Sequence, residues 1–536
     1  GTIEGFFDRL AERRDDLPVW QGEMYMQGHR GVQTTQAELK RRFRAVERAL
    51  QVREAAACVL GQPTDAATDH AWRRIVFAQF HDYIPGSSVP EVYEEHLPEL
   101  AQLVEAVERD TADAFANGSD ENAAEPGWFN PLPVPQAEWL DGRRVSLSPL
   151  SVTAESALEE APAAPVRVTE DGGRVTLANG RAAFVLDAEG RLEAITRDGV
   201  DVALREPAGE LYTFPDHPAN YDAWDVDRAT LANGRRVDSA VNRRIDNPDG
   251  PIPQVVYSRA VGRSSRAEVR YELRPGETVL RIQIDLDWQD PQTLLKWAAP
   301  TNYTGRMARF GAPYGSTLRP QHVGPLENDA MFEVPGSRWA AVADDTERDG
   351  LMLVTEAKYG FGCRDGLLHL SLIRSPRYTG HRGEGGGNAS ANVADRCSDL
   401  GPHTAHFAVG VYSADAPRAE QPAALADTLF TPPVRVTATP GDAGLRGLEG
   451  GDSLVPAWAK PVFDTEPGGW TLRLHETLGR RGAAHLKFAA GCHAQQVDLK
   501  GDPLAPLDAS PSEADGLRVD FAPYQILSYR ITRRGD

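Results

Sequence analysis

The sequence predicts a multidomain α+β protein: a three-helix bundle, then a large antiparallel β-sandwich (supersandwich), then a small C-terminal β-sandwich. Three observations predict this class. The 536-residue length is several times that of one domain. Apolar residues at helical spacing fill the first 120 residues, and from Trp128 onward short alternating runs are separated by turn residues. We predict four regions: a helix and loop (1–32), the bundle (33–120), the large β domain (127–431) and the small one (432–536).

The N-terminal part predicts two helices. A short amphipathic helix is expected from Gly1 to Arg14. Thr35 stands three residues before Glu38, the pattern of a capping box that starts a helix. Apolar residues then recur at steps of four, three and four and predict a long helix that closes near Gly61: they are Leu39, Phe43, Val46 and Leu50.

Two further helices complete the predicted bundle. The second carries a stripe at helical spacing, Trp72, Ile75, Val76, Gln79 and Phe80, and is stopped by Pro85-Gly86. Pro90 opens the third, Pro98 is expected to interrupt or restart it, and Asn117-Gly118 is a plausible end. Short connections between three long helices are typical of a bundle.

Short runs with a period of two follow, separated by Gly and Pro. Strands of this length over some 300 residues indicate antiparallel sandwiches. The clearest runs are Val175–Leu177, Val269–Leu273, Leu280–Leu286, Leu367–Ile373, Trp470–Leu474, Leu517–Phe521 and Gln525–Ile531.

Composition narrows the function classes. The formal net charge is −21, which disfavours a nucleic-acid partner. Four scattered cysteines favour a reducing, cytoplasmic compartment over a disulfide framework. The sequence holds no apolar run long enough to cross a membrane, so we expect no membrane partner.

The pair His81-Asp82 is the most informative candidate site. It stands where the second helix is expected to end, against a sharp Pro-Gly turn. A histidine there is ordinarily a cap that interacts with the helix dipole. The turn could equally aim imidazole and carboxylate into one cleft, where they suit a divalent ion or a polyhydroxylated ligand.

Two other segments combine aromatic and polar residues. His29-Arg30 follows Trp20 and Tyr25 in a loop, which either lines a sugar site or packs on the bundle. Segment 215–225 contains Asp222, Trp224 and Asp225, and is either a sugar-binding loop or an ordinary acidic surface loop. Arg374 and Arg377 could donate to sugar hydroxyls, although ordinary salt bridges are an alternative.

A glycine-rich segment and a pair of histidines are weaker patterns that favour simple structural interpretations. The glycine-rich segment Gly383–Ser390 lacks the residues of a phosphate-binding loop and is better interpreted as a plain loop. His403 and His406 are three residues apart, a spacing that does not place both on one face of a strand.

Several of these segments together resemble glycoside hydrolase family 38, the α-mannosidases. The most specific is QFHDYIPGSSVPEVY, and the resemblance runs over essentially the whole chain. The resembling segments are Gly22–Gln36, Gln79–Tyr93, Trp339–Arg377, Asp222–Asp225 and Leu472–Glu476.

The resemblance implies hydrolysis of terminal α-mannosides with retention, assisted by a zinc ion that grips two sugar hydroxyls. It implies that His81 is a zinc ligand, Asp82 a substrate-binding carboxylate and His29 part of the sugar subsite. A family segment also matches Asp222, Trp224 and Asp225, but the resemblance assigns no individual role to any of the three. Partners would be α-mannoside glycans, with a homo-oligomer as an option.

The chain also departs from the family pattern. Val32-Gln33 replaces Thr-Tyr, which puts one sugar contact in doubt. The family's α/β barrel is missing, and with it a second set of zinc ligands and the nucleophile, so region 1–32 is interpreted as a remnant of the catalytic domain. We therefore expect no catalytic residue in this chain and no activity from it alone. The alternatives are a non-catalytic mannoside-binding or assembly module and a purely structural scaffold.

Overall fold

The structure is a computed structural model that describes residues 1–20, 23–24, 28–120, 122–324, 326–378, 396–462, 469–504 and 516–533. Tyr25 and the segment Gly383–Ser390 lie outside the described residues. The helices are α1 (Ile3–Ala11), α2 (Ala37–Leu60), α3 (Ala66–Phe77), α4 (Pro90–Gly118), α5 (Arg228–Ala232), α6 (Leu326–Ala330) and α7 (Pro422–Thr428). The described helices include none that is long and apolar enough to cross a bilayer.

The first sixteen strands lie between residues 125 and 288. They are β1 (Glu125–Asn130), β2 (Gln136–Leu140), β3 (Arg143–Leu147), β4 (Ser151–Ala154), β5 (Glu159–Glu160), β6 (Arg167–Asp171), β7 (Arg174–Ala178), β8 (Ala182–Leu186), β9 (Leu192–Arg197), β10 (Val200–Asp201), β11 (Glu210–Pro215), β12 (Arg235–Arg236), β13 (Val241–Asp246), β14 (Gln254–Val261), β15 (Ser265–Glu272) and β16 (Val279–Trp288).

The remaining strands follow in the same order along the chain. They are β17 (Thr293–Pro300), β18 (Met307–Ala312), β19 (Gly315–Pro320), β20 (Val334–Pro335), β21 (Trp339–Ala343), β22 (Gly350–Thr355), β23 (Gly360–Arg364), β24 (Leu367–Arg374), β25 (Gly401–Tyr412), β26 (Val434–Ala438), β27 (Gly441–Asp442), β28 (Leu445–Glu449), β29 (Leu454–Pro461), β30 (Trp470–Glu476), β31 (Gly482–Phe488), β32 (Cys492–Val497), β33 (Leu517–Phe521) and β34 (Ile526–Arg533). The chain is a multidomain α+β protein.

Helices α2, α3 and α4 share one buried core. It includes Leu39, Val46 and Leu50 of α2, which are fully buried, together with Ile75 and Leu100. Because apolar residues at these spacings fall on one face of a helix, the stripe predicted for α2 is the face that is buried. α2 ends where expected, at Gly61 in the left-handed conformation (φ 64°).

Three local predictions in this part were wrong. α4 runs through Pro98 without interruption, from Pro90 to Gly118. The predicted stripe of α3 continues past the helix end, and its second half faces solvent, with Val76 and Phe80 62% and 57% exposed. The capping box at Thr35 does not form, because the helix begins one residue later, after Gln36 in the left-handed conformation.

A distant acceptor replaces that capping box. The Asp399 carboxylate accepts hydrogen bonds from the backbone amides of Gln36 and Ala37, at 2.6 and 2.7 Å. These amides open α2 and have no acceptor within the helix. Glu38 pairs with Arg41 and Arg42 instead. The start of α2 is therefore set by a residue that precedes β25.

Two sheets of the large β region share one core. One has the order β13-β14-β15-β16-β25-β22-β21-β18-β19, and the other β12-β11-β17-β24-β23-β20, all antiparallel where paired. Ile282 and Ile284 of the first lie in the same cluster as Trp297 and Leu370 of the second. The second sheet carries β11 and β24, whose ends hold the candidate site.

The C-terminal strands form two further sheets, β28-β31-β33 and β29-β30-β34-β32. Their core also takes in Phe129 of β1 and Phe115 of α4. β26, beyond the predicted boundary at 431/432, pairs with β1. Strands from both sides of that boundary thus belong to one sheet, and the domain limits stay predictions.

Candidate functional site

Two loops that are far apart in sequence meet at the edge of the β11–β24 sheet. We call them the first loop (28–36), which precedes α2, and the second loop (216–227), which joins β11 to α5. The Gly31 amide donates to the Trp224 carbonyl at 2.8 Å. Arg30 lies 3.3 Å from the Asp225 carboxylate, and the rings of His29 and Trp224 are 6.5 Å apart. The structure therefore brings His29, Trp224 and Asp225 together.

Arg374, at the end of β24, holds the second loop from beneath. Its side chain and that of Asp216 are both fully buried, and its Nε donates to Asp216 Oδ2 at 2.5 Å. One terminal nitrogen donates to the carbonyl oxygens of Asp222 and Asp225. The other donates to the Thr35 hydroxyl at 3.0 Å. A single guanidinium thus fixes both loops.

In the buried Arg374–Asp216 pair, the positive charge of the guanidinium balances the negative charge of the carboxylate. Burial raises the pKa of Asp216, and the nearby Arg374 charge opposes that rise. An isolated carboxylate at this depth would be strongly disfavoured, so the pair depends on both partners. The salt-bridge interpretation of Arg374 is confirmed, because its guanidinium is fully buried and paired with the Asp216 carboxylate.

Gly31 is the point where the first loop rests on the guanidinium. A Cβ at this position would lie 2.1 Å from Arg374 Nη1 and 3.1 Å from the Asp225 carbonyl oxygen. Contact this close would force Arg374 or the loop to move, so glycine is favoured here for packing and not for its backbone angles. The first loop is seated because this residue lacks a side chain.

Asp222 and Asp225 have different environments. The backbone carbonyl of Asp222 is engaged by Arg374, while its side chain is half-buried. The Asp225 carboxylate accepts from the Arg30 side chain and from the Val226 amide at 2.9 Å. Trp224 is half-buried beside the exposed His29. One aromatic ring and two carboxylates therefore lie along this edge.

The His81–Asp82 turn presents its side chains to solvent. His81 Nε2 lies 3.4 Å from Asp82 Oδ2, and the side chains are 77% and 38% exposed. The backbone is held more firmly: the hydroxyls of Ser88 and Tyr93 donate to the Asp82 carbonyl at 2.9 and 3.2 Å. Ser87 Oγ donates to Asp82 Oδ1 at 3.1 Å.

The helix-cap interpretation of His81 is wrong. α3 ends at Phe77 with Ala78 as its C-cap, so His81 lies beyond the last turn, where dipole effects fade. Residues 78–80 stand between the end of α3 and His81.

The turn is joined to the first loop through buried contacts. Lys40 Nζ donates to the carbonyl oxygens of Thr35, Ile84 and Pro85. Gly86 has φ 92°, and a Cβ there would lie 2.8 Å from the Thr35 carbonyl oxygen. Burial lowers the pKa of Lys40 to about 7, opposed by the charge of Asp399. Both groups of candidate residues are therefore anchored to Thr35.

Sequence reasoning missed Lys40, Asp216 and Asp399, which position the site. Lys40 lies beside the apolar stripe of α2, where a lysine is ordinarily solvated. Asp216 belongs to the aromatic and acidic segment 215–225. The sequence shows that it is a carboxylate there, but it does not show that the carboxylate is buried. No local signal connects Asp399 to α2.

The described residues offer only part of a zinc site. His81 and Asp82 supply one imidazole and one carboxylate, and catalytic zinc sites use three protein ligands. Across the described ranges, no group of three or more His, Cys, Asp or Glu side chains is placed to hold a metal ion. These residues do not complete a zinc site by themselves, and we derive no chemical step through zinc.

Comparison with known protein families gives two matches. Residues 177–382 match the glycosyl hydrolases family 38 C-terminal domain. Residues 27–117 match the alpha mannosidase middle domain. The first match covers the second loop and Arg374, and the second covers the first loop and the His81–Asp82 turn.

Curated relatives agree with these matches. The chain is 27% identical over 403 residues to human alpha-mannosidase 2C1, covering 69% of this chain and 38% of that protein. It is 23% identical over 438 residues to an alpha-mannosidase of Saccharomyces cerevisiae, covering 76% and 37%. The chain thus spans about two fifths of the length of the curated relatives it matches.

Solved structures show the same fold. An alpha-mannosidase from Enterococcus faecalis V583 superposes with a TM-score of 0.73 at 13% identity, covering 98% of this chain and 72% of that one. A second family 38 protein from Enterococcus faecalis gives 0.70 at 13% identity, covering 98% and 73%. The fold and the matched regions are those of a glycoside hydrolase. The chain belongs to glycosyl hydrolase family 38.

Proposed function

We propose that this chain forms part of an α-mannosidase that hydrolyses terminal α-mannosides with retention of configuration. One observation carries the proposal: Arg374 gathers the first and second loops into one edge, next to the His81–Asp82 turn. The two family models cover both regions, and the curated relatives are named alpha-mannosidase. A cytoplasmic location belongs to the same proposal, supported by the buried thiols Cys58, Cys363 and Cys492.

The substrate-binding roles follow from side-chain chemistry. The Trp224 ring, with His29 beside it, offers a flat surface to the apolar face of a mannose ring. Asp82, Asp222 and Asp225 carry carboxylates that accept hydrogen bonds from sugar hydroxyls. Arg30 and Arg374 orient the second loop and do not themselves contact the sugar in this proposal.

His81 is the proposed metal ligand. Its imidazole is exposed and free of the helix end, so it can offer a nitrogen to zinc. Bound zinc would serve as a Lewis acid and template for the sugar hydroxyls. The other ligands would come from outside this chain, as would the nucleophile and general acid, because a retaining glycosidase needs two carboxyl groups about 5–5.5 Å apart.

The first test uses the isolated 536-residue chain and an aryl α-mannoside. We expect no hydrolysis, with or without added zinc, because in this proposal both catalytic carboxyl groups come from outside this chain. Hydrolysis that disappears in His81→Ala would overturn the division of roles, since the active site would then be complete within this chain.

The second test uses the whole gene product that contains this sequence. We expect α-mannosidase activity that His81→Ala and Asp82→Asn each reduce by at least 100-fold. His70→Ala is the control, since His70 is an exposed histidine on α3. If mannose binds calorimetrically but activity is absent, and chelator and His81→Ala leave binding unchanged, the chain is instead a non-catalytic mannoside-binding module.

A further inference from the structure

A cavity of about 380 Å³ lies where the helices meet the C-terminal sheet, apart from the candidate site. Helices α2 and α3, the turn between β18 and β19, helix α7 and strands β29 and β30 contribute its walls. Small-molecule sites typically enclose about 300–1,000 Å³. The cavity is therefore large enough for a monosaccharide.

Four aromatic residues line this cavity: Trp72, Tyr314, Trp339 and Trp458. Tyr314 is 42% exposed, which leaves its ring available at the cavity. Trp458 is oriented by a 2.9 Å hydrogen bond from its Nε1 to Glu54 Oε2. Aromatic faces contact the apolar faces of sugar rings, so this wall suits a pyranose.

The same cavity carries polar atoms that lack partners. Thr64 Oγ1, Arg473 Nε and His475 Nδ1 are buried, and none has a hydrogen-bond partner among the described residues. All three side chains belong to the cavity lining. Buried polar atoms are ordinarily hydrogen bonded, so three such atoms beside one cavity leave bonding capacity that a ligand or an ordered water can satisfy.

The charges around the cavity favour a neutral ligand. Arg338 is paired with Asp427 at 2.7 Å, and Arg44 lies 3.7 Å from the same carboxylate. Burial lowers the pKa of His475, so its ring is neutral near pH 7 and offers one donor and one acceptor. Burial raises the pKa of Glu54. The remaining charged residues of the lining are Lys460 and Arg473 against Asp69, so no strong excess of either charge is left to select an ion.

A larger cavity, of about 630 Å³, lies between α2 and the nine-stranded sheet that contains β16. Its arginines are already engaged: Arg48 pairs with Glu356 at 2.8 Å, and Arg281 with Glu277 at 2.6 Å. It therefore offers fewer groups to a ligand than the smaller cavity does.

We propose that the cavity lined by Trp72, Tyr314 and Trp458 is a second saccharide site, which binds one neutral hexose unit of a glycan. The aromatic wall contacts the ring, and Thr64, Arg473 and His475 bond its hydroxyls. The site shares no residue with the His81–Asp82 turn or the two loops. The proposal of a second saccharide site is therefore independent of the proposed hydrolysis.

The test is calorimetric or saturation-transfer binding of methyl α-mannoside, methyl α-glucoside and methyl α-galactoside to the whole chain, with chelator present. We expect saturable binding of at least one glycoside. Tyr314→Asn should weaken it by at least tenfold, because the ring is lost while asparagine tolerates the left-handed backbone at this position (φ 56°).

Tyr221→Asn is the matched control, since Tyr221 is also exposed and left-handed (φ 57°) but lies in the second loop. Trp458→Phe is the second variant, with circular dichroism and thermal unfolding to verify folding. No saturable binding of any of the three glycosides overturns the proposal. So does binding that both cavity variants leave unchanged, or binding that Tyr221→Asn abolishes.

Discussion

The second loop and the His81–Asp82 turn hold the two groups of candidate residues, and different interactions fix them. In the second loop, backbone carbonyls converge on a guanidinium that is fully buried. In the turn, neutral hydroxyls hold the backbone while the His81 and Asp82 side chains remain in solvent. The comparison teaches that one half of the site is set by interior charge, and the other half by local hydrogen bonds. The free energy of unfolding should therefore respond very differently to substitutions in the two halves.

The largest effect is expected for Arg374→Met. Removing the guanidinium leaves the Asp216 carboxylate buried without its cation, which costs about 3–5 kcal/mol. The measurement is urea denaturation at pH 7. Arg174→Met is the control, because the Arg174–Glu193 pair is on the surface, where ion pairs contribute little to stability. Equal losses in the two variants would remove the distinction between interior and surface charge.

Gly31→Ala should have the next largest effect. Its Cβ would lie 2.1 Å from Arg374 Nη1, so the first loop or the guanidinium must move, at a cost of about 1–3 kcal/mol. Gly28→Ala in the same loop is the matched control: a Cβ there has no neighbour within 4 Å. We expect the control to stay within about 0.5 kcal/mol of the parent protein in the same denaturation assay. A destabilised Gly28→Ala with an unaffected Gly31→Ala would show that the loop is not seated on Arg374.

Lys40, which joins the first loop to the His81–Asp82 turn, should make the free energy of unfolding depend on pH. Its folded pKa is about 7, against an ordinary value of 10.5, so between these values the unfolded state binds the extra proton. The free energy of unfolding contributed by this group therefore rises with pH across that window. Lys358, whose pKa is lowered to about 8, acts in the same direction.

In Lys40→Met the rise in stability between pH 7.5 and 9.5 should be shallower than in the parent protein, with Lys358 supplying the remainder. Denaturation midpoints across this range measure the slope. The exposed Lys500→Met should keep the parental slope. An unchanged slope in Lys40→Met would mean that Lys40 stays protonated in the folded protein.

Asp82→Asn should have the smallest effect on stability. The Asp82 side chain is 38% exposed and its backbone contacts survive the change, so we expect a shift within about 0.5 kcal/mol. A loss comparable to that of Arg374→Met would show that the turn, too, depends on charge. The expected consequence of this variant is on mannoside binding and hydrolysis.

Local patterns predicted the helices and strands well, because the periodicity of apolar residues reports which face is buried. The stripe of α2 and the strand from Leu280 to Leu286 are in their predicted places. The failures have non-local causes. α2 begins after Gln36, because Asp399 supplies the acceptor that Thr35 was expected to supply. The apolar residues Val76 and Phe80 looked like core, yet no described segment covers them.

The residue types and the family resemblance predicted which residues are candidates. They did not predict how these residues are arranged in space. His29 and Trp224 were singled out separately, and nothing in the sequence indicated that they lie side by side. Arg374 had two interpretations, a donor to sugar hydroxyls or an ordinary salt bridge, and the structure shows the salt bridge, in which Arg374 is an interior anchor. An arginine with five donors can serve either role, and only burial distinguishes the two.

The contact between Asp399 and the start of α2 has a consequence for folding order. It joins residues 363 positions apart, and such long-range closures form late because the chain entropy must be lost first. The body of α2 can form early from local contacts, while its first turn waits for the segment before β25 to arrive. The first loop, which leads into that turn, is thus among the last parts of the chain to become ordered, so the candidate site is assembled only once the β region is in place.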